Sequence, residues 1–139
     1  MMQVNRYLAD NAMDRIDHAL GRAVNPQRET YRNHFAEYVD SHVATEMAAS
    51  TCWYIGKRSG DLLFFHVTAH GRAALASHLR EIGDRSRLFT VSYRGHDMGP
   101  VVAKTHSEAR HNTWLRWDTT DLPFSEFIRH TRVRLEPAA

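Results

Sequence analysis

Apolar residues recur along the chain in two different periods, and the change from one to the other divides it. Leu8, Ala12, Ile16 and Leu20 repeat every four residues with Met13 beside them, which predicts a helix over residues 5–20 stopped by Gly21. Asn25 and Pro26 restart the chain as a cap and first helical residue. Tyr31, Phe35, Tyr38 and Val39 then predict a second helix or helical turn. Residues 42–54 predict a third helix, with Met47, Ala48, Trp53 and Tyr54 as its apolar contacts. A strand begins at Ile55, the breaker-rich stretch Lys57-Arg58-Ser59-Gly60-Asp61 turns the chain, and Leu62-Leu63-Phe64-Phe65 runs on to Val67 as a buried strand. Thr68 stands as the N-cap of the next helix, over residues 69–82. Leu75, Leu79 and Ile82 are spaced i, i+4, i+7, and Gly83 is the stop. A buried strand feeding an amphipathic helix at residues 61–75 locates the core of this half.

Beyond the short candidate linker at residues 83–87 the period shifts to two. Phe89, Val91 and Tyr93 alternate on one face of a strand, Arg94-Gly95-His96-Asp97 turns it, and residues 99–104 pair back through Val101 and Val102. Thr105 and Glu108 fit a capping box ahead of a helix carrying Trp114, Leu115 and Trp117. Pro123 opens a short helix with Phe124, Phe127 and Ile128. Residues 129–136 close as a strand with Val133 and Leu135 facing one way and Arg132 and Arg134 the other. The expected order is α-α-α-β-β-α and then β-β-α-α-β. This is an α+β chain with a winged-helix-like helical half and two-stranded wing at residues 1–83. A small β-β-α-α-β half at residues 84–139 is expected to pack tightly on it.

Composition narrows the partners. The chain has 139 residues, 42% hydrophobic and 24% charged, a globular balance rather than a disordered one. Its pI of about 8.9 reflects a net charge of only +2. Split at residue 80, each half holds nine Lys and Arg against eight Asp and Glu, so neither half is a basic module of the kind nucleic-acid binders show. Sixteen of the eighteen basic residues are Arg, a bias that GC-rich coding or recognition of phosphate and carboxylate would each produce. Cys52 is the only cysteine, so no intramolecular disulfide forms and a reducing compartment is expected. No run reaches the ~18 apolar residues of a spanning helix. The acid-containing start is not a signal peptide, so a cytoplasmic location without membrane contact is expected.

No catalytic signature stands out. Phosphate-binding loops, nucleophile elbows and dinucleotide fingerprints are missing. His66 and His70 are four apart but fall in a strand and at a helix start, and His106 and His111 are five apart, so neither pair has the i, i+4 face a helical metal pair needs, and no cysteine pair completes a zinc set. Cys52 sits beside Trp53 and Tyr54 and reads as a structural thiol. Asp118, Asp121 and Glu126 stand around helix ends, where carboxylates are ordinary. No enzyme, metal or cofactor is expected. Nor do residues 42–54 suit a base-reading helix, since they hold no Arg, Lys, Asn or Gln and Glu46 is their only charge.

Two groups of basic residues remain. Arg28, Arg32, Lys57 and Arg58, with Asn33 and His34 between, form a patch across the second predicted helix and the wing. Arg129, Arg132 and Arg134 with His130 form a second, which Arg94 or Arg110 would join. The alternative for the second group is pairing with Asp118, Asp121 and Glu136. Trp114 and Trp117 are either core of the second half or interface anchors.

Three pieces of the chain resemble a group of small phage and prophage proteins. They are HALGR at residues 18–22 with YRNHF at 31–35; LLFFHVTAHGRAAL at 62–75; and FTVSYRGHDMGPVVAKTHSEAR at 89–110 with FSEFIRHTRVRLE at 124–136. The pieces are spread over most of the chain. Ala49-Ser50-Thr51-Cys52 departs from the pattern, standing where the similar chains commonly have a glycine-containing helix end. Val67-Thr68 with Gly71 also looks like the wing-to-helix junction of winged-helix regulators. The resemblance implies phage or prophage origin and carries little chemistry. It leads to the expectation of an accessory protein that binds a host protein or complex, as an inhibitor of a bacterial defence or regulatory system. The alternative is DNA or RNA binding through Arg28, Arg32, Lys57, Arg58 and the C-terminal arginines.

Overall fold

Nine residues from Asn11 to Ala19 form the first helix, α1, which is shorter than the apolar period predicts because Asp10 caps it: its carboxylate accepts from the Met13 amide at 3.1 Å. The computed structural model describes residues 4, 6–117 and 121–137. The chain is α+β and divides into two units, Gln3–Asp84 and Arg85–Ala139.

α1 ends in two left-handed residues, Gly21 and Arg22. The Gly21 amide donates to the His18 carbonyl at 3.0 Å and the Arg22 amide to the Asp17 carbonyl at 2.8 Å, the paired bonds of a Schellman stop. A Cβ at residue 21 would collide with the Tyr31 ring, so glycine is needed there for space as well as for φ.

The second expected helix is instead a strand. β1, Phe35–Tyr38, pairs antiparallel with β3, Leu62–Val67, in the register Phe35 to Phe65. Asn33 decides this. Its side-chain oxygen accepts from the Val67 amide at 2.7 Å and its amide donates to the Val67 carbonyl at 3.1 Å, so the side chain stands in for one more strand pair. Nor does residue 25 begin a helix: the Asn25 side chain accepts from the Gln27 amide, and Arg72 clamps the carbonyls of Pro26 and Arg28.

The third expected helix is cut to α2, His42–Ala49, capped by Ser41. Trp53 and Tyr54 leave it for β2, Trp53–Ser59, because the aromatic and β-branched run Trp53-Tyr54-Ile55 finds partners in Val67, His66 and Phe65. The first unit is thus α-β-α-β-β-α, with three strands ordered β1-β3-β2 rather than three helices and a two-stranded wing. α3, Ala69–Glu81, starts where the sequence marks it: the Thr68 hydroxyl accepts from the Gly71 amide and donates to the Thr51 carbonyl. Ile16, Leu20, Met47, Trp53, Phe65, Val67, Leu75 and Leu79 form the core, on one face of the sheet.

The second unit follows its expected order. β4, Arg87–Tyr93, lies between β5, His96–Ala103, and β6, Thr131–Leu135, all antiparallel. Arg94 and Gly95, both with positive φ, make the two-residue turn that suits a twisted hairpin. α4, His106–Arg116, is capped by Thr105, and α5, Phe124–Arg129, follows. Phe89, Val91, Val101, Ala103, Ala109 and Phe127 fill this core. Trp114 and Trp117 pack against it, the Trp114 indole donating to the Leu122 carbonyl, which makes both tryptophans core residues.

Candidate functional site

Two structural accidents of the second unit bring basic residues together. The positive-φ turn sets Arg94 at the end of β4, where its amide donates to the His130 carbonyl at 2.9 Å. α5 runs directly into β6, so Arg129, His130, Thr131 and Arg132 follow that contact around the corner. Pairing of Ser92 with Arg132 and of Tyr93 with Thr131 locks the corner to the hairpin. The result is a hollow of about 550 Å³ lined by Ser92, Arg94, Gly95, Arg129, His130, Thr131 and Arg132.

Three arginines and a histidine line this space, and among the described residues no carboxylate does. Arg94 lies over the Tyr93 ring at 5.6 Å, and Arg129 and Arg132 make no ion pair among the described residues. Thr131 is already committed, accepting from Arg110 Nε at 2.8 Å and donating to the Ile128 carbonyl. Arg110 therefore braces the wall from behind. Arg134 stands outside the hollow, 3.5 Å from Glu136, whose carboxylate also accepts from the Thr90 hydroxyl. So among the described residues the pairing alternative holds for Arg134 and not for its two neighbours. Asp118, another of the expected partners, lies outside the described residues.

The basic residues predicted in the first unit do not make a comparable set. Arg58 folds back on the Gly60 carbonyl at 2.9 Å, and Arg32 donates to the His34 carbonyl at 3.1 Å. Arg28 and Lys57 are exposed, and the strand that replaces the second helix separates the group.

What the first unit builds from charge is a buried network that sequence inspection misses. Arg6 donates to both oxygens of Asp17, at 2.7 and 2.9 Å, and to Asp84 at 3.0 Å. Arg22, turned inward by its positive φ, reaches Asp14 at 2.7 Å and Asp17 at 3.2 Å, with Tyr7 over its guanidinium at 4.5 Å. Asp17 is fully buried. The hydrogen bond from Arg22 holds Asp14 below the ordinary aspartate range. Burial lowers His18, and the nearby Arg32 and Arg22 lower it further. With every charge partnered, this network supports the fold and offers nothing to a ligand.

His66 is held by a bond from Nδ1 to the Asn33 carbonyl at 2.7 Å, while His106 and His111 pack edge-on against Phe89 and Phe124. Among the described residues no three His, Cys, Asp or Glu side chains stand close enough to hold a metal ion, and no helix is long and apolar enough to cross a membrane. Cys52 packs half-buried against the first core. The chain matches no family model, no curated protein and no solved structure.

Proposed function

We propose that this chain is a non-enzymatic binding protein whose second unit captures an acidic face of a host protein. The observation that carries this reading is the hollow lined by Arg94, Arg129, His130 and Arg132, with no carboxylate among the described residues that line it. Three like charges drawn together without a counter-charge repel one another, and an anionic partner relieves that repulsion. Arginine forks match carboxylates in pairs of hydrogen bonds.

A protein partner fits better than duplex nucleic acid. Arg94, Arg129 and Arg132 gather at one hollow rather than in a drawn-out stripe, and the exposed apolar side chain of Ile128 adjoins Arg129 on α5. Arginines beside apolar anchors are the usual composition of a protein interface. The resemblance to phage proteins supports a host defence or regulatory protein as the target, inhibited by occlusion.

The test is affinity capture from host lysate followed by reconstitution with the purified partner. Wild-type chain should bind, and the double variant Arg129→Glu with Arg132→Glu should lose about a hundredfold in affinity. Recovery of background alone, or a partner that binds the double variant equally well, overturns the reading.

A further inference from the structure

The first unit's sheet has a second face that its own helices do not cover. Leu63, Phe65 and Val67 of β3 pack into the core or against it with Phe35 and Trp53. By alternation Leu62, Phe64 and His66 take the other face, joined through the register by Ala36 and Tyr38 of β1 and Tyr54 of β2. Tyr54 is 54% exposed and Tyr38 60%, while Phe64 and His66 are half-buried. A continuous apolar run such as residues 62–67 ordinarily marks a strand covered on both sides. Here one side is open.

The open side is organised. The Tyr54 and His66 rings lie 5.0 Å apart with 32° between their planes. A Cβ at residue 56 would collide with the imidazole, so Gly56 lets that ring lie across β2. The bond from Nδ1 to the Asn33 carbonyl fixes the ring. His34 continues the same face, and the Arg32 guanidinium sits 3.4 Å from its ring. Among the described residues of these strands no carboxylate takes this face: Glu37 shares the opposite side with Phe35, and Asp40 and Asp61 lie beyond the strand ends. Lys57 is exposed on the hairpin.

We propose that this face binds single-stranded nucleic acid. Bases stack on Tyr54, Tyr38 and Phe64, and Arg32 and Lys57 meet the phosphates. Flat aromatic rings spaced along neighbouring strands offer a π-face to any base, and cations without carboxylates suit a phosphate backbone. A duplex keeps its bases stacked inside and cannot use the rings.

The probe is a fluorescein-labelled oligo-dT or oligo-U of about 12 nucleotides, followed by anisotropy at about 50 and about 300 mM salt. Wild-type chain should bind both, weakening as salt rises, and bind a duplex of equal length less well. Tyr54→Ala and Tyr38→Ala, at side chains exposed enough to leave folding intact, should each lose about tenfold or more, while Tyr54→Phe keeps binding within about twofold. The pair Arg129→Glu and Arg132→Glu should leave oligonucleotide affinity unchanged, which separates this site from the hollow. Absence of binding at the lower salt overturns the proposal. So does binding that the Tyr→Ala variants leave intact, or that the second-unit charge reversals abolish. If Tyr54→Ala weakens a reconstituted protein complex and no oligonucleotide binds, the face belongs to a protein and the proposal fails.

Discussion

Arg6 and Arg22 in the first unit are surrounded by Asp14, Asp17 and Asp84, with Asp17 shut away from solvent, whereas Arg129 and Arg132 in the second line an open hollow that no carboxylate of the described residues lines. The side chain is the same and the environment differs. A buried guanidinium costs several kcal/mol in lost hydration unless its donors are matched. The first set is therefore locked into the fold. The second set remains hydrated, costs the fold little, and keeps its donors available. Arginine content alone says nothing about function; the geometry around each guanidinium does.

The sharpest test of this contrast is Asp17→Ala, which removes the buried carboxylate that Arg6 and Arg22 share and leaves them only Asp84 and Asp14. It should cost about 3–5 kcal/mol in urea denaturation, whereas Arg129→Ala and Arg132→Ala should each stay within about 0.5 kcal/mol. Equal effects in the two units would erase the distinction. Next in size is Gly21→Ala, at the turn that delivers Arg22 to the network. Positive φ and the collision with Tyr31 together should cost about 2 kcal/mol, read from the same denaturation curves.

Titration probes the first unit's network more finely. Asp14 is held below the ordinary aspartate range by its hydrogen bond from Arg22, so its contribution is full at neutral pH and is lost as pH falls through and below that range. His18 is lowered as well, chiefly by burial. The unfolded chain therefore takes up that proton first, and stability begins to fall as pH drops below about 6.5. Thermal melts across this range should show decline in two stages, and His18→Gln should remove the upper one. Retention of the upper stage in that variant would assign it to another group. The smallest expected effect is Arg134→Ala. Its exposed pair with Glu136 should be worth at most about 1 kcal/mol and should fade with salt.

The two basic groups also differ in how well they could be seen in advance. Arg129, His130 and Arg132 are neighbours in the chain and were visible as a cluster. That Arg94 joins them while Arg134 turns to Glu136 depends on a hairpin and a strand register. The patch expected around Arg28, Arg32, Lys57 and Arg58 does not sit on a second helix, for a traceable reason. Tyr31, Phe35, Tyr38 and Val39 fit a helical period, but Phe35 and Tyr38 belong to a strand, because Asn33 and β3 supply partners nearly thirty residues away in the chain. The aromatic face was hidden differently. The run Leu62–Val67 looks equally apolar on both sides, and nothing local tells which side is covered.

What the sequence settles here is what neighbouring residues settle among themselves. Thr68 and Thr105 start their helices, Gly21 and Gly83 end theirs, and the strands of the second unit alternate as their side chains demand. Each of these rests on hydrogen bonds or sterics reaching a few residues along the chain, so composition at that spot suffices. The third strand of the first sheet, the partners of Asp17 and the placing of Arg94 beside His130 all join residues far apart in sequence; Arg6 and Asp84 are separated by 78 positions. Their energies exist only once the chain has closed those distances. It is folding that divides the arginines into buried ties and free donors, and leaves one face of the first sheet open.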